Sequence, residues 1–346
     1  MKLIIQIPCY NEEATLAAVL ADIPAHIDGI DAIETLVIDD GSDDRTVLVA
    51  QMCNATHVVR HTHNKGLAAA FQTGLDACLT LGAEIVVNTD GDHQYSGADI
   101  ETLVRPILNG DADMVIGDRR TRDVAHFSPM KKRLQAFGSW TMRRMSGTTI
   151  PDAPSGFRAL SRDAAMRLNV VTRYTYTLET LIQAGKKNIS VTSVPIASRV
   201  TRPSRLFPSV WSYVKRSAAT MLRIWAMYEP LKTFAIFATM FLLIGAALVG
   251  RFLYFYLILG EKGPRHIQSL IIALIFSMIG AVLFAVALLA DLISNNRRLL
   301  EDNLYRTKKM QYMLSAQAQR NGEPTQNLLS NLVDPETVPD LAQRHD

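Results

Sequence analysis

Two apolar runs, at about residues 233–259 and 267–293, constrain the fold of this chain more than any other feature. Each is long enough to cross a hydrocarbon core of roughly 30 Å. Only the short turn EKGPRHI joins them, so they are expected to form a helical hairpin with both flanks on one side. The flanks carry Lys215, Arg216, Arg223 and Lys232 before the hairpin and Arg297, Arg298, Arg306, Lys308 and Lys309 after it, whereas the turn holds only Lys262 and Arg265. Positive charge stays on the cytoplasmic side, which puts both flanks, and with them both termini, in the cytoplasm. Arg251 lies inside the first run near the turn, where its long side chain can snorkel to the interface. Two spans in one chain offer no pathway for a transporter. The segment just before them, 207–226, places Phe207, Val210, Trp211, Val214, Ala218, Met221, Leu222 and Trp225 at helical spacing opposite Ser209, Ser212, Arg216, Thr220 and Arg223. That pattern predicts a basic amphipathic helix lying in the membrane interface, with a docked surface helix as the alternative. The division expected is therefore 1–206 soluble, 207–230 interfacial, 231–295 membrane-spanning and 296–346 a polar tail.

The first part has a different rhythm. LIIQIPC (3–9), TLVID (35–39), HVVR (57–60), EIVVNTD (84–90) and DMVIGD (113–118) have the length and composition of strands, and EATLAAVLADI, DRTVLVAQMC and GLAAAFQTGLDACLTLG separate the first four as helices. Strand and helix in alternation predict βαβ units, a mainly parallel sheet and helices on both faces. In such sheets ligands bind beyond the carboxyl ends of the strands. The stretch 119–160 is basic, contains Gly and Pro, and is expected to be an irregular loop or lid beside the site.

Charge and cysteines narrow the classes of function. The formal net charge is only +3, so bulk electrostatics give no reason to expect a nucleic-acid partner. The basic residues instead cluster, at Arg119–Arg122, Lys131–Arg133, Arg143–Arg144, Arg199–Arg205 and Lys215–Arg216, which suits phosphates or anionic lipid. Cys9, Cys53 and Cys78 form no C-x-x-C pair, so neither a disulfide framework nor a zinc site is expected. LIIQIP at the start lacks the basic segment and long apolar run of a cleaved signal peptide.

Three polar clusters fall where strands end: Pro8-Cys9-Tyr10-Asn11-Glu12, Asp39-Asp40-Gly41-Ser42 and Asp90-Gly91-Asp92-His93-Gln94. Carboxylates gathered at one sheet edge repel one another unless a cation compensates. A divalent ion held by Asp92, with Asp90 and Gln94 near, is the natural partner, and oxygen ligands favour Mg2+ or Mn2+. Such an ion would neutralise the pyrophosphate of a nucleotide, while Asp39 could accept hydrogen bonds from the nucleoside. Neither G-x-G-x-x-G nor G-x-x-x-x-G-K-[ST] is present, so a dinucleotide oxidoreductase or P-loop NTPase would lack its phosphate cradle.

Six motifs in order resemble glycosyltransferase family 2, with its GT-A fold, and within it the branch of dolichol-phosphate mannose synthase and bacterial polyprenyl-phosphate glycosyltransferases. They are IPCYNEE, VIDDGSDDRT, NTDGDHQ, VIGDRR, PDAPSGFRALSR and RVTRPSRL. The resemblance covers about residues 1–206 and implies roles residue by residue. Pro8, Tyr10, Glu12, Val37 and Asp39 would line the nucleoside pocket. Asp90, Asp92 and Gln94 would hold the metal and, with Gly91, the pyrophosphate. Arg119 would reach phosphate, Arg199 and Arg205 would close over the nucleotide, and Arg133 would meet the acceptor phosphate. Asp152, Ser155, Arg158, Glu179 and Arg202 are candidates for sugar or acceptor contact, with a turn residue at Asp152 and a helix-surface residue at Glu179 as the plain alternatives. The sequence departs from the family pattern at Asp118, where Ser is usual, at Arg202-Pro203, where Gly begins the pair, and at Arg205, where Lys is usual.

The implied partners are a UDP- or GDP-sugar, a dolichyl- or undecaprenyl-type polyprenyl phosphate and a membrane, with a homo-oligomer left open. The implied location is the bacterial or archaeal plasma membrane, with the catalytic domain in the cytoplasm. A lipid phosphate already carries negative oxygen near neutral pH, so it needs positioning rather than a strong base. A single displacement would then invert the anomeric configuration. Two other possibilities stay in view. A polysaccharide or glycolipid transferase would call for more spans and a Q-x-x-R-W motif, for which Gln135 and Trp140 have the wrong spacing. A non-catalytic nucleotide-binding scaffold would have no need of an intact Asp90, Asp92 and Gln94 set.

Overall fold

The computed structural model describes residues 1–119, 145–171, 176–199, 227–260 and 267–320, with single positions at 143, 219 and 223. Arg133, Arg202, Arg205, the expected interfacial helix up to residue 226, the turn between the two apolar runs and the tail beyond 320 lie outside the described residues. The chain divides into two units, Met1–Ser212 with Leu304–Asp346, and Tyr213–Asn303.

The first unit is built on a seven-stranded sheet. Its strands are β1 (Lys2–Cys9), β2 (Ala32–Asp39), β3 (His57–Arg60), β4 (Ile85–Asn88), β5 (Met114–Asp118), β6 (Arg158–Ser161) and β7 (Val191–Pro195), in the order β3-β2-β1-β4-β6-β5-β7. All run parallel except β6, which pairs antiparallel with both β4 and β5. The first five strands coincide closely with the apolar runs of the sequence. Strand β6 does not: part of a stretch expected to be irregular is a central strand. Four residues with mixed character, Arg-Ala-Leu-Ser, are too short to announce themselves by periodicity, and their pairing is supplied by neighbours distant in sequence.

The helices of this unit are α1 (Leu16–Ala21), α2 (Thr46–Met52), α3 (Leu67–Thr80), α4 (Asp99–Leu108), α5 (Arg162–Arg167) and α6 (Tyr176–Lys186). Because side chains alternate across a strand, β1 feeds both layers. Leu3, Ile5, Ile7 and Cys9 join Leu16, Val19, Ala50, Ile100 and Leu103 in one continuous core with α1, α2 and α4. On the other face lie Ile4 and Gln6, and α3 packs there with Phe71, Leu75 and Cys78 all buried.

Two further helices are long and apolar: α7 (Pro230–Leu253), continued by a π-helical turn at Tyr254–Ile258, and α8 (Ile267–Arg320). Each is long and apolar enough to cross a membrane, and most of its apolar side chains are exposed. Within the second unit they approach through small residues. Ala238, Ala273 and Ala287 are buried, Gly245 lies against Ser277, Gly280 lies against Leu242, and Phe241 stacks on Phe276 at 5.7 Å. Near the base, Arg297 Nη2 donates to the Tyr228 hydroxyl at 2.7 Å while its Nε pairs with Glu301 at 2.8 Å.

Helix α8 does not end with the apolar run. Residues 296–320 contain no Gly or Pro and are rich in Leu, Arg, Lys, Gln, Ala and Met, so the helix continues as a polar one through Arg320. Its far end belongs to the first unit and docks on α3 and α5. Lys308 Nζ pairs with Asp76 at 2.7 Å, the Tyr305 hydroxyl donates to Asp163 at 2.7 Å, and Arg162 Nη1 donates to the Tyr312 hydroxyl at 2.7 Å. Lys308 is largely buried, so its hydrogen bond to a carboxylate should carry about 1–2 kcal/mol. Lys308→Met combined with Tyr305→Phe is therefore expected to speed amide exchange in α3 and α5 about tenfold or more, with the sheet unaffected. Unchanged protection of α3 and α5 would mean that the helix end contributes nothing to the unit.

Candidate active site

Parallel β1, β2, β4 and β5 all end at the same edge of the sheet, and the antiparallel β6 begins there. The topology therefore brings together residues 10–12, 39–42, 89–94, 118–119 and 152–158. The last of these groups reaches the edge only because β6 is reversed.

The ends of β1 and β2 are zipped together by their own polar groups. Asn11, at φ 55°, donates its N–H to Ser42 Oγ at 2.9 Å and accepts at Oδ1 from the Asp43 N–H at 3.0 Å. Glu12 donates its N–H to Thr46 Oγ1 at 2.9 Å. Gly41 turns this corner at φ 72°, and a Cβ there would come within 2.5 Å of the His63 backbone. Asp40 is buried and holds the loop after β3, accepting from His61 Nδ1 at 2.7 Å and from the N–H groups of Lys65 and Gly66 at 2.9 and 2.8 Å.

The residues assigned to the nucleoside pocket divide by exposure. The Tyr10 ring is 39% exposed at the rim. Pro8 and Val37 are buried, Val37 within the core between the sheet and its helices. The Asp39 carboxylate is fully buried, 3.3 Å from the Ser42 N–H and paired with Arg60 Nε at 3.1 Å. Arg60 had not been singled out from sequence; it closes β3 in register with Asp39. Glu12 is nearly buried. Thr15 Oγ1 lies 2.9 Å from Glu12 Oε2 and 2.7 Å from the Gly91 carbonyl, which ties the first cluster to the third.

The third cluster holds the candidate metal ligands. After β4 the chain turns through Asp90, Gly91, Asp92 and His93, the last at φ 59°. Gln94 donates its N–H to Asp92 Oδ1 at 3.0 Å, which closes the turn. Burial, and then the charge of Asp92, push the Asp90 carboxyl up to about 7, although Arg119 and Arg158 pull the other way. Two half-buried carboxylates whose charges act on one another favour a cation. Among the described residues, no three His, Cys, Asp or Glu side chains converge as a complete metal cage. Two carboxylates with a neighbouring amide are nevertheless the donor set that suits Mg2+ or Mn2+, ions that commonly take only one or two carboxylates and fill the rest of their shell with phosphate oxygens and water. Asp90, Asp92 and Gln94 thus fit the ion expected from the sequence.

Around this turn stand the cations. Arg119 is bidentate on Asp152, Nε to Oδ2 at 2.8 Å and Nη2 to Oδ1 at 3.0 Å, and its backbone N–H also reaches Oδ2 at 3.2 Å. Asp152 holds the Arg119 guanidinium firmly in its charged form. Arg199 follows β7; its N–H donates to the Gln94 carbonyl at 2.9 Å and its guanidinium contacts His93 and, at 3.2 Å, Asp22. Asp22 also accepts from the Gly97 N–H at 2.8 Å, and these contacts lower its carboxyl. Arg158 is entirely buried. It donates to the Ser155 and Ala153 carbonyls at 2.8 and 2.7 Å and to Thr180 Oγ1 at 2.6 Å, so it braces the turn before β6. Ser155 is buried in that turn. Glu179 is fully buried too, accepting from the Val171 N–H at 3.1 Å, so it is not a surface residue of its helix.

The profile of glycosyl transferase family 2 matches residues 4–168. The chain is 30% identical over 220 residues to the UDP-N-acetylglucosamine–dolichyl-phosphate N-acetylglucosaminyltransferase of Methanococcus voltae, covering 57% of this chain and 86% of that protein. It is 27% identical over 206 residues to the undecaprenyl-phosphate mannosyltransferase of Micrococcus luteus, covering 57% and 83%. The fold matches that of glucosyl-3-phosphoglycerate synthase from Mycobacterium tuberculosis, solved with Mn2+, UDP and product, at a TM-score of 0.52 and 23% identity over 64% of this chain and 79% of that one. The chain belongs to glycosyltransferase family 2, and its mixed sheet is that of the GT-A fold.

Two outcomes follow from the electrostatics. The ordinary Asp value is 3.8, so the folded protein keeps a proton on Asp90 that the unfolded chain releases between about pH 4 and 7. Asp90 therefore costs stability increasingly as pH rises through that window. In metal-free buffer Asp90→Asn should match the wild type near pH 4 and exceed it in urea midpoint at pH 8; a difference independent of pH would rule this out. Separately, Arg119→Met leaves Asp152 buried without its partner and should destabilise the protein by about 3–5 kcal/mol. Adding Asp152→Asn should recover much of the loss, and an additive double variant would show that the pair is not coupled.

Proposed function

We propose that this protein transfers a sugar from a nucleoside diphosphate sugar to a polyprenyl phosphate at the cytoplasmic face of a membrane, with inversion at the anomeric carbon. The observation that carries this is the placement of Asp90 and Asp92 in one turn at the carboxyl edge of the sheet, with Arg119 and Arg199 beside it, an arrangement suited to a hard cation and the diphosphate that accompanies it. The lipid acceptor is supported by the two long apolar helices and by the acceptors in the relatives' names.

A Mg2+ or Mn2+ ion held by Asp90, Asp92 and Gln94 would supply positive charge to the departing diphosphate. The chain's own residues bind and orient. Tyr10 offers an exposed aromatic face at the end of β1, suited to a base. Arg199, half-exposed beside the Asp92 turn, can exchange its contact with Asp22 for a donor phosphate. Arg133, Arg202 and Arg205 remain expectations from the sequence, with Arg133 assigned to the acceptor phosphate and Arg205 to the donor. An acceptor phosphate oxygen attacks the anomeric carbon while the bond from that carbon to the diphosphate breaks, so no side chain need remove a proton. What the protein must provide is in-line placement and compensation of charge.

Asp92→Ala should abolish transfer to polyprenyl phosphate while leaving far-ultraviolet circular dichroism unchanged, and EDTA should do the same to the wild type. Full activity in EDTA would defeat the metal requirement. Donor turnover that no polyprenyl phosphate stimulates would defeat the lipid acceptor.

A further inference from the structure

Asp90 has an unusual neighbour. It lies against the backbone of Gly156, where a Cβ would come within 2.9 Å of both carboxylate oxygens and 2.8 Å of the Tyr176 hydroxyl. The absence of a side chain at residue 156 is thus what leaves room for the carboxylate, and the position of the Gly156 backbone sets how far back it can sit.

That backbone is held at both ends by buried phenols. The Gly156 N–H donates to the Tyr95 hydroxyl at 3.2 Å. Its carbonyl accepts from the Tyr176 hydroxyl at 3.3 Å and from Asn88 Nδ2 at 2.9 Å. Asn88 Nδ2 also lies 2.9 Å from the Tyr176 hydroxyl, and Asn88 Oδ1 accepts from Gln6 Nε2 at 2.9 Å, which anchors the chain of bonds in β1 and β4. Both rings are themselves fixed. Tyr95 stacks on Phe157 at 4.9 Å and 10°, and Tyr176 stacks on Phe71 at 4.0 Å and 7°. Buried hydroxyls at fixed positions, each bonded to one end of a glycine, leave that glycine little freedom to shift.

We propose that the hydroxyls of Tyr95 and Tyr176 are positioning groups for the metal-binding carboxylate of Asp90, acting through the Gly156 backbone between them. The inference rests on the metal-dependent transferase described above and adds two residues to its machinery. Neither phenol is assigned a part in the transfer itself. Their contribution is to preset the carboxylate, in the way that outer partners of metal ligands govern metal affinity.

Tyr95→Phe and Tyr176→Phe keep the stacked rings and remove only the hydroxyls, so they test the idea twice and independently. Mn2+ binding is followed by loss of the free-ion paramagnetic resonance signal, with and without UDP or GDP, alongside thermal melting in EDTA. Each variant is expected to melt cooperatively and to bind Mn2+ about tenfold more weakly than the wild type. Transfer should recover toward the wild-type rate at saturating Mn2+, since the ligands themselves are intact. Gly156→Ala, which presses a methyl group on the carboxylate directly, should weaken Mn2+ further. If both Tyr→Phe variants bind Mn2+ as tightly as the wild type, and only their melting temperatures fall, the hydroxyls are structural and the inference is overturned. A wild type that takes up no Mn2+ in any of these conditions is a distinct result, which would overturn the metal-dependent site itself and this inference with it.

Discussion

Two carboxylates, Asp90 and Asp92, stand two residues apart in the turn after β4, both half-buried, and the charges around them are arranged accordingly. Left alone, Asp90 and Asp92 would repel each other, and burial raises the cost further. The protein answers with two positive side chains close by, Arg119 and Arg158, neither of which neutralises Asp90 outright: Arg119 is committed to Asp152, and Arg158 to two carbonyls and a hydroxyl. Asp90 is left under-compensated, and its carboxyl is pushed up from the usual carboxylate range. Under the metal-dependent reading proposed above, that residual demand is what a cation would meet, because a full ion pair inside the protein would remove the reason to bind one.

The rest of the edge is tied by hydrogen bonds beneath the pair and exposed at its rim. Asp40, Asn11, Ser42 and Thr46 bind loop to loop through backbone N–H groups, so the strand ends are held by buried and part-buried hydrogen bonds. Tyr10 and Arg199, by contrast, are exposed on the rim and can change partners without disturbing the core. Exposed polar groups at the edge are where exchange with a charged ligand would cost least.

The site was partly legible before the fold was known. A short polar cluster straight after an apolar strand is informative because a parallel sheet sends every such cluster to one edge, and the structure does place Glu12, Asp90, Asp92 and Gln94 at that edge. Tyr176 and Arg60 could not be found so. Tyr176 opens a helix well away in sequence from its partners Asn88 and Gly156, and Arg60 is an ordinary charged residue at the end of an edge strand until Asp39 is seen beside it. Exposure was equally hidden: Asp39, Glu179 and Arg158 are charged residues that sequence alone would put near water, yet all three are buried with polar partners.

By itself, then, the sequence determined the class of architecture. Local hydrophobic periodicity and run length are properties of neighbouring residues, so the alternation of strands and helices, the two long apolar helices and the membership of the D-x-D turn in a strand end could all be read from order alone. Only the tertiary structure decided that Arg158–Ser161 is a strand inserted antiparallel between β4 and β5, and hence that Asp152, Gly156 and Arg158 stand beside Asp90. It also decided that the polar end of α8 returns to α3 and α5 through Tyr305, Lys308 and Tyr312. Both depend on pairing between segments far apart in the chain, which is set by the shape and hydrogen-bonding capacity of surfaces formed only once the sheet has assembled, and which leaves no periodic mark on the residues that take part.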